Sequence, residues 1–320
     1  YPARLDPTWE VTGSMNEFRY DVPVVLLPNG RAFVVGGRGE GAEVNAEVYD
    51  PATETWSYVP SADLVSQACD FTLTAMLDGR VLLAGGEWDL PSSTIVPTAQ
   101  ALNTTTFTWQ ALPPMLDART DHRATLLPDG RVLISGGRPP SSTPLASAEI
   151  FSPTTNSWSA TGSLIVGRYL HEAVEHEGRV LVAGGLPPGE TSTETSEIFD
   201  PLVDNGVGGW GTPRIFANSR YGHAMAPLGN SRAIIFGGTF NDQALTTMKS
   251  VQIYDFDTNI WTSGPDLPVP AGVPGLMFGR AARALDGGAI FTGGCDGYQF
   301  CDDPSDLATY FDPVTGAASP

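Results

Sequence analysis

The sequence predicts an all-β protein, a six-bladed β-propeller, and two repeated observations support this fold class. A pair of glycines follows a hydrophobic segment six times, at intervals of 49, 51, 48, 53 and 56 residues. A segment that ends at a tryptophan recurs with a similar period. Because a unit repeated along the whole chain stacks against its own copies, we expect one domain over residues 1–320. The glycine pairs are Gly36-Gly37, Gly85-Gly86, Gly136-Gly137, Gly184-Gly185, Gly237-Gly238 and Gly293-Gly294.

Each repeat is expected to form one blade, a four-stranded antiparallel sheet. Segments such as Ala124–Ser135 place Asp129-Gly130 between two apolar runs, which is typical of a β-hairpin. The glycine pair removes Cβ atoms where neighbouring sheets crowd together. The frame Ala46–Trp56 then supplies a third strand, an Asp-Pro turn and the tryptophan of a fourth strand. The frame recurs at 99–109, 148–158 and 251–261, and in a longer form at 196–210.

The two ends of the chain differ from the repeat in complementary ways. The last frame begins at Ala308 and has Ala318 where a tryptophan is expected, whereas Trp9 has no frame of its own. We therefore expect the N-terminal strand, residues 5–16, to complete the blade formed by residues 275–320. Such a closure joins the ring and removes exposed sheet edges.

The motifs resemble those of the kelch family over essentially all of the chain. Kelch blades carry an Arg-x-x-His element before the inner strand, and here it occurs as Arg119–His122, Arg168–His171 and Arg220–His223. The second blade lacks both residues, around Ala68 and Phe71. The resemblance implies a propeller in which these histidines bond the backbone of a neighbouring blade. It does not imply one activity, because kelch proteins range from protein scaffolds to oxidases.

Composition excludes several classes of partner. The net charge of -19 argues against nucleic acid and anionic membranes, and no apolar run approaches a membrane span, so we expect no membrane insertion. Cys295 and Cys301 have a spacing that suits a disulfide, and the loops are rich in Thr, Ser, Gly and Pro. We therefore expect a secreted or extracytoplasmic monomer, the alternative being free thiols in a cytosolic chain. Cys69 is expected to be buried.

Two sets of residues are expected to meet at the mouth of the axial channel. One set lies about fifteen residues before each glycine pair, and the other follows each pair directly. The first set is Asp21, Asp70, Asp121, Leu170, Gly222 and Gly279. The second set is Arg38, Glu87, Arg138, Leu186, Thr239 and Cys295.

Three aspartates in the first set suggest a site for a hard cation. Asp21, Asp70 and Asp121 would suit calcium or magnesium better than copper or zinc. The alternative is that each pairs with a nearby arginine, namely Arg19, Arg119, Arg38 or Arg138. The copper radical oxidases, which include galactose oxidase, build their site on a kelch-type propeller from two His, two Tyr and a Cys crosslinked to one Tyr. Cys69 lies near the register of that Cys, but Asp121 stands where the crosslinked Tyr is expected, so we do not predict a copper site.

Two functions remain open from the sequence. We favour a binding module of an exported protein over an enzyme, with a protein segment or carbohydrate as ligand and cationic partners preferred. Its ligand contacts would come from Arg38, Glu87, Trp88, Arg138 and Asp296. The alternative is a sugar-processing or metal-dependent enzyme with the three aspartates as ligands or acid–base groups. That alternative predicts a displaced pKa for at least one of them.

Overall fold

The all-β prediction is confirmed by a computed structural model of the chain. It describes residues 12–39, 44–88, 94–189, 192–240, 247–269, 273, 275–295, 308–315 and 317–319. These residues contain strands, turns and two short 3-10 helices, Pro60–Ala62 and Asp204–Gly206, but no α-helix. No helix in this part of the chain is long and apolar enough to cross a membrane.

Six sheets in the described residues repeat one pattern, with four main strands in chain order and antiparallel neighbours. We number these blades one to six. Blade one comprises Val24–Leu26, Ala32–Val35, Ala46–Asp50 and Thr55–Tyr58; blade two comprises Thr72–Ala75, Arg80–Ala84, Ala99–Asn103 and Thr108–Ala111. Blade three comprises Arg123–Leu126, Val132–Ser135, Ala148–Ser152 and Ser157–Ala160; blade four comprises Glu172–His176, Arg179–Ala183, Thr195–Asp200 and Gly209–Trp210.

The remaining strands complete the pattern. Arg214–Ile215 adds a fifth strand to blade four by pairing with its third strand. Blade five comprises Ala224–Leu228, Arg232–Phe236, Val251–Asp255 and Ile260–Ser263; blade six comprises Arg280–Arg283, Ala289–Thr292, Ala308–Phe311 and Ala318–Ser319. A small separate sheet contains Ala68–Cys69, Glu87–Trp88 and Thr94–Ile95.

The core lies between the faces of successive blades. The first strand of each blade contacts the first strand of the next, from blade one through blade six. Side chains from facing strands fill the space between, as where Phe33 of blade one packs edge-on against Trp109 of blade two at 6.4 Å. Both faces of the second strands are therefore buried, which explains their continuous apolar sequences.

The glycine pairs mark the closest approach between blades. Gly136 has φ +58°, and a Cβ atom there would lie 2.4 Å from the carbonyl oxygen of Arg168 in the segment leading into blade four. The same Cβ would lie 2.9 Å from Cε1 of His171. Both the backbone conformation and the available space therefore require glycine, as the sequence predicted.

The repeated histidines are buried at the contacts between blades, and two of the three bond a side chain where a backbone partner is expected. Nε2 of His122 lies 3.1 Å from the hydroxyl of Thr72 in blade two, and Nε2 of His171 lies 3.1 Å from the hydroxyl of Ser135 in blade three. The partners of these two are thus side-chain hydroxyls of the preceding blade, whereas His223 bonds the backbone of Ala183 in blade four, as expected. Burial, reinforced by nearby arginine charge, lowers the pKa of the imidazoles of His122 and His171 well below the usual range.

A buried ion pair, which sequence reasoning missed, recurs in three blades. Arg19–Glu47, Arg119–Glu149 and Arg168–Glu197 are joined at 2.7, 2.9 and 2.8 Å, with almost no exposed side chain. Each arginine also donates to the carbonyl of the first glycine of its pair. Arg19 and Arg119 therefore do not pair with the three aspartates. The sequence signal is a glutamate at the second position of the frame that ends at the tryptophan.

Closure by the N-terminal strand stays a prediction, because residues 1–11, including Trp9, lie outside the described residues. The described part of that segment is not a strand: the N–H of Gly13 donates to the carbonyl of Glu54 at 3.1 Å, next to blade one. In blade six, Ala318 pairs with Phe311 at the position of a fourth strand.

Candidate functional site

Two sets of residues meet at one end of the inner strands, as the sequence predicted. The residue after each glycine pair forms an antiparallel bridge with a residue that precedes the inner strand of the same blade. The bridged pairs are Tyr20–Arg38, Cys69–Glu87, Thr120–Arg138, Tyr169–Leu186, Tyr221–Thr239 and Met277–Cys295.

The residue after the first member of each bridge has a left-handed backbone in all six blades. Its φ lies between 51° and 60° at Asp21, Asp70, Asp121, Leu170, Gly222 and Phe278. Asp and Gly tolerate this conformation better than most residues, so backbone geometry accounts for part of the aspartate pattern. The prediction of Gly279 for blade six is wrong. Phe278 takes this position because blade six keeps the sequence separation of blades one to three, and only blade four is shortened.

Six charged side chains from blades one to three converge, and we call them the axial cluster: Asp21, Arg38, Asp70, Glu87, Asp121 and Arg138. The guanidinium of Arg38 lies 2.8 Å from Asp70, 3.2 Å from Glu87 and 3.5 Å from Asp21. Arg138 lies 2.5 Å from Glu87 and 3.5 Å from Asp121. Glu87 thus stands between two guanidiniums, and each arginine reaches the blade beside its own.

Burial and mutual repulsion determine the charge of this cluster. Burial, followed by the charge of Asp70, raises the pKa of Asp121 to about 7. The same two causes raise the pKa of Asp21, with Arg38 acting against them. Four carboxyl groups face two guanidiniums, so the cluster keeps an excess of acid. It remains accessible, since 53% of the Asp21 side chain is exposed.

A cation at this site would have to compete with arginine. Donor atoms of Cys69, Asp70 and Glu87 lie within 4.8 Å of one another. However, both carboxylates already bond Arg38, and the Cys69 thiol lies 3.2 Å from Asp70. Burial and the charge of Asp70 raise the pKa of that thiol, so it stays protonated. The geometry therefore matches the arginine–carboxylate alternative of the sequence, and calcium binding stays a prediction.

Not every predicted contact residue reaches the cluster surface. Trp88 is only 6% exposed and donates from its indole N–H to the carbonyl of Gly85. Its side chain packs in the core beside blade one, so this predicted ligand contact lies away from the surface of the cluster. Asp296 lies outside the described residues.

Of the three cysteines, Cys69 is free and buried, as the sequence predicted. Cys295 is disulfide-bonded. Cys301, the partner that the sequence predicts, lies outside the described residues.

Blades four to six give the same end of the molecule an apolar character. Leu186, Tyr221, Met277 and Cys295 form a buried apolar group that Tyr169 and Leu170 cover. Next to the axial cluster, Phe18 and Tyr20 are 76% and 50% exposed. A ligand at this end would therefore meet acid on one side and apolar or aromatic surface beside it.

Comparison with known proteins supports a kelch-repeat propeller. The family profile described as Kelch motif matches residues 24–62 and 219–268. Kelch-like protein 36 of Mus musculus is 25% identical over 273 residues, which cover 83% of this chain and 35% of that protein. An F-box/kelch-repeat protein of Arabidopsis thaliana is 32% identical over 81 residues, covering 25% of this chain and 20% of that protein. The chain thus spans about a third of the length of the mouse relative, and its match covers a still smaller share of the plant relative.

Two solved structures share the fold. A fungal alcohol oxidase of the AA5 family, in complex with copper, superimposes with a TM-score of 0.74 at 16% identity, over 97% of this chain and 66% of that one. The structure of YjhT gives a TM-score of 0.72 at 12% identity, over 95% and 99% of the two chains. At these identities the likeness concerns the fold alone.

The residues of this chain do not fit a copper centre. All four histidines of the sequence are described. His122, His171 and His223 are buried before inner strands, and His176 packs on Phe256 at 4.7 Å. The axial cluster therefore has carboxylates, guanidiniums and a protonated thiol but no imidazole, a donor set unlike that of copper sites.

Proposed function

Since this chain is a kelch-repeat β-propeller, we propose that it is a binding module that holds a protein segment at the axial cluster. The observation that supports this proposal most directly is that six charged side chains from three blades converge there, with more carboxylates than guanidiniums. The site is partly exposed and is bordered by apolar surface, which suits recognition of a side chain within a larger contact.

The charges of the cluster are not needed for the fold. Blades four and five form the same bridge and the same left-handed turn with Leu170 and Leu186, or with Gly222 and Thr239. The buried Arg–Glu pairs, by contrast, lie between strands and have no exposed surface. A charged network that the backbone does not require, at an accessible end of the molecule, supports a role in binding.

The chemistry of the cluster favours a segment with a basic side chain. Asp21 is the most exposed carboxylate of the cluster and lies 3.5 Å from its guanidinium, the same distance as that between Asp121 and Arg138. A lysine or arginine of a partner would pair with Asp21 and Asp70, while Phe18 and Tyr20 would contact its aliphatic part. The overall charge of -19 would also speed the approach of a basic segment.

A displayed library of random peptides, selected on the immobilised chain, tests this proposal. We expect enrichment of segments that combine a basic and an apolar residue, and loss of their binding in Asp21→Asn/Asp70→Asn. The matched control is Asp78→Asn/Asp129→Asn, which removes two arginine-paired carboxylates at hairpin turns instead. An absence of enrichment, or equal binding by the axial variant, would overturn it. If a glycan array shows saturable binding instead, the ligand is carbohydrate and the peptide proposal fails.

One observation favours a second function, acid–base chemistry at Asp121. The alternative of an enzyme predicted a displaced aspartate pKa, and that of Asp121 is raised to about 7. A carboxyl that exchanges its proton near neutral pH suits a general acid or base. Proton exchange at the anomeric or neighbouring carbon of simple sugars, followed by NMR, would show a rate that Asp121→Asn abolishes. An unchanged rate in the variant would exclude this role.

A further inference from the structure

In five of the six blades, the turn after the third strand begins with a residue whose side chain accepts backbone N–H groups. In four blades this residue is an aspartate: Asp50, Asp200, Asp255 and Asp312. In blade two it is Asn103, whose Oδ1 accepts from the N–H of Thr105 at 2.9 Å and of Thr106 at 3.0 Å. An amide therefore replaces a carboxylate in a turn whose geometry is unchanged.

Blade two differs from the other frames at the next position as well. Thr104 stands where blades one, three, four and six have a proline and blade five has Phe256, and Thr105 follows it. Asn103-Thr104-Thr105 is consequently the one Asn-X-Ser/Thr sequence in the 320 residues of the chain. This pattern is the acceptor sequence for N-linked glycans, provided that it is exposed.

The structure presents this tripeptide in an accessible form. Asn103 and Thr105 are exposed at the end of the strand Ala99–Asn103, and no described residue accepts a hydrogen bond from Nδ2 of Asn103. The hydroxyl of Thr104 donates to the carbonyl of Gly79 at 2.7 Å and fixes the turn against the blade. The amide nitrogen is thus free to react while Oδ1 stays engaged.

We propose that Asn103 is an acceptor site for an N-linked oligosaccharide. The donor would be a lipid-linked oligosaccharide diphosphate of the secretory pathway. Nδ2 forms a bond to C1 of the first sugar and loses one proton, while the bond from C1 to the diphosphate oxygen breaks and the lipid diphosphate leaves. The disulfide-bonded state of Cys295 fits the oxidising compartment in which this transfer occurs.

The position of Asn103 makes the modification compatible with binding at the axial cluster. Thr104 contacts Gly79, which lies at the hairpin turn of blade two, whereas Asp70 precedes the inner strand of that blade. The glycan would therefore extend from the opposite end of the blade. The proposal does not depend on the binding function.

Secretion from a yeast host, with intact-mass measurement before and after treatment with an N-glycosidase, tests the site. We expect one glycan on the wild type, and its complete loss in Asn103→Asp and Thr105→Ala. Thr105→Ser keeps the acceptor pattern and should retain the glycan. Asn103→Asp keeps the acceptor oxygen found in the other blades, so its folding, checked by thermal unfolding, should be normal. A folded, secreted wild type without glycan, or a glycan that persists in Asn103→Asp, would overturn the proposal.

Discussion

At the scale of single residues, Asp121 is the carboxyl whose charge depends most on its surroundings. It lies between Arg138 and the acids Asp70 and Glu87, largely out of water, and its pKa is raised to about 7 from 3.8. Proton binding is therefore stronger in the folded chain than in the unfolded one between these values. The free energy of unfolding should fall as pH rises through this interval.

Replacing Asp121 with Asn tests this coupling. Asn tolerates the left-handed backbone and cannot ionise, so Asp121→Asn should unfold with a weaker dependence on pH between 5 and 8. At pH 8 we expect the variant to be about 1–2 kcal/mol more stable than the wild type, since no buried charge remains. Urea unfolding at several pH values measures this. A variant with the same pH dependence as the wild type would contradict the assignment.

The sequence predicted which residues meet at the axial cluster, but not how they pair. The spacing from the glycine pairs placed Asp21 and Arg38 together, because the repeat fixes the backbone bridge within one blade. Arg38 nevertheless lies closer to Asp70 of blade two than to Asp21. That preference depends on the side-chain path between neighbouring sheets, which a one-dimensional spacing does not contain.

At the scale of elements, a blade that has the buried arginine generally also has a glutamate on the facing third strand. Blades one, three and four have both Arg and Glu, while blade two has Ala68 and Gln100 in the same registers. Blade five is the exception, because Arg220 is buried and its register partner is Gln252. Burial lowers the pKa of Arg220 to about 10. Among the described residues, no carboxylate forms an ion pair with this buried charge.

Gln252→Glu should supply the missing partner. We expect the free energy of unfolding to rise by about 1–3 kcal/mol, since a charge-assisted hydrogen bond to Arg220 would outweigh the two that the Gln252 amide donates to Val251 and Ser263. The matched control is Gln100→Glu in blade two, where no arginine faces the new carboxylate, and we expect it to destabilise by about 1–3 kcal/mol. Thermal and urea unfolding measure both. If the two substitutions act in the same direction, the pairing rule is wrong.

The glycine pairs allow a second test at this scale. Gly136→Ala places a Cβ atom 2.4 Å from a backbone oxygen of the next blade, whereas Gly79, also at positive φ, has nothing within 4 Å. We expect Gly79→Ala to cost about 1 kcal/mol through backbone strain and Gly136→Ala to cost several times more. Equal losses in urea unfolding would show that blade contact is not the reason for glycine at Gly136.

The blade pattern was predictable from sequence because turn residues, glycine pairs and tryptophans repeat in one dimension. The arginine–glutamate pairing was missed because Glu47 and its equivalents lie in strands that otherwise read as ordinary polar alternation. Trp88 was misplaced for a related reason: it follows Gly85-Gly86, where a loop is expected, but it continues into a short strand and folds back on Gly85.

At the scale of the whole molecule, closure of the ring by the N-terminal strand stays a prediction, because Trp9 lies outside the described residues and Ala318–Ser319 already pairs with the third strand of blade six. Gly162 follows Trp158 by four residues and donates to the carbonyl of Gly208 beside the next blade. Gly13 stands four residues after Trp9 and donates in the same way to Glu54. The segment that leads into blade one therefore makes the same kind of backbone hydrogen bond as the segment that follows the fourth strand of blade three.

Trp9→Ala tests the closure. If Trp9 occupies a fourth strand, its loss should lower the free energy of unfolding by about 2–4 kcal/mol, as much as Trp158→Ala in blade three. Trp158 packs on Phe151 at 5.0 Å and donates to the carbonyl of Pro113. Its substitution therefore gives the reference loss of free energy for a tryptophan in a fourth strand. A neutral Trp9→Ala beside a destabilising Trp158→Ala would rule out closure by this strand.

We propose that the axial cluster, and not the acidic surface in general, binds a basic protein segment. One selected peptide is titrated calorimetrically into the wild type, Asp21→Asn/Asp70→Asn and Asp78→Asn/Asp129→Asn. Because both variants lose the same charge, the comparison separates an effect of the axial cluster from an effect of the acidic surface in general. We predict that the axial variant weakens binding about tenfold or more, while the hairpin variant changes it about twofold or less. Equal weakening in both variants, or none in the axial one, would contradict the claim.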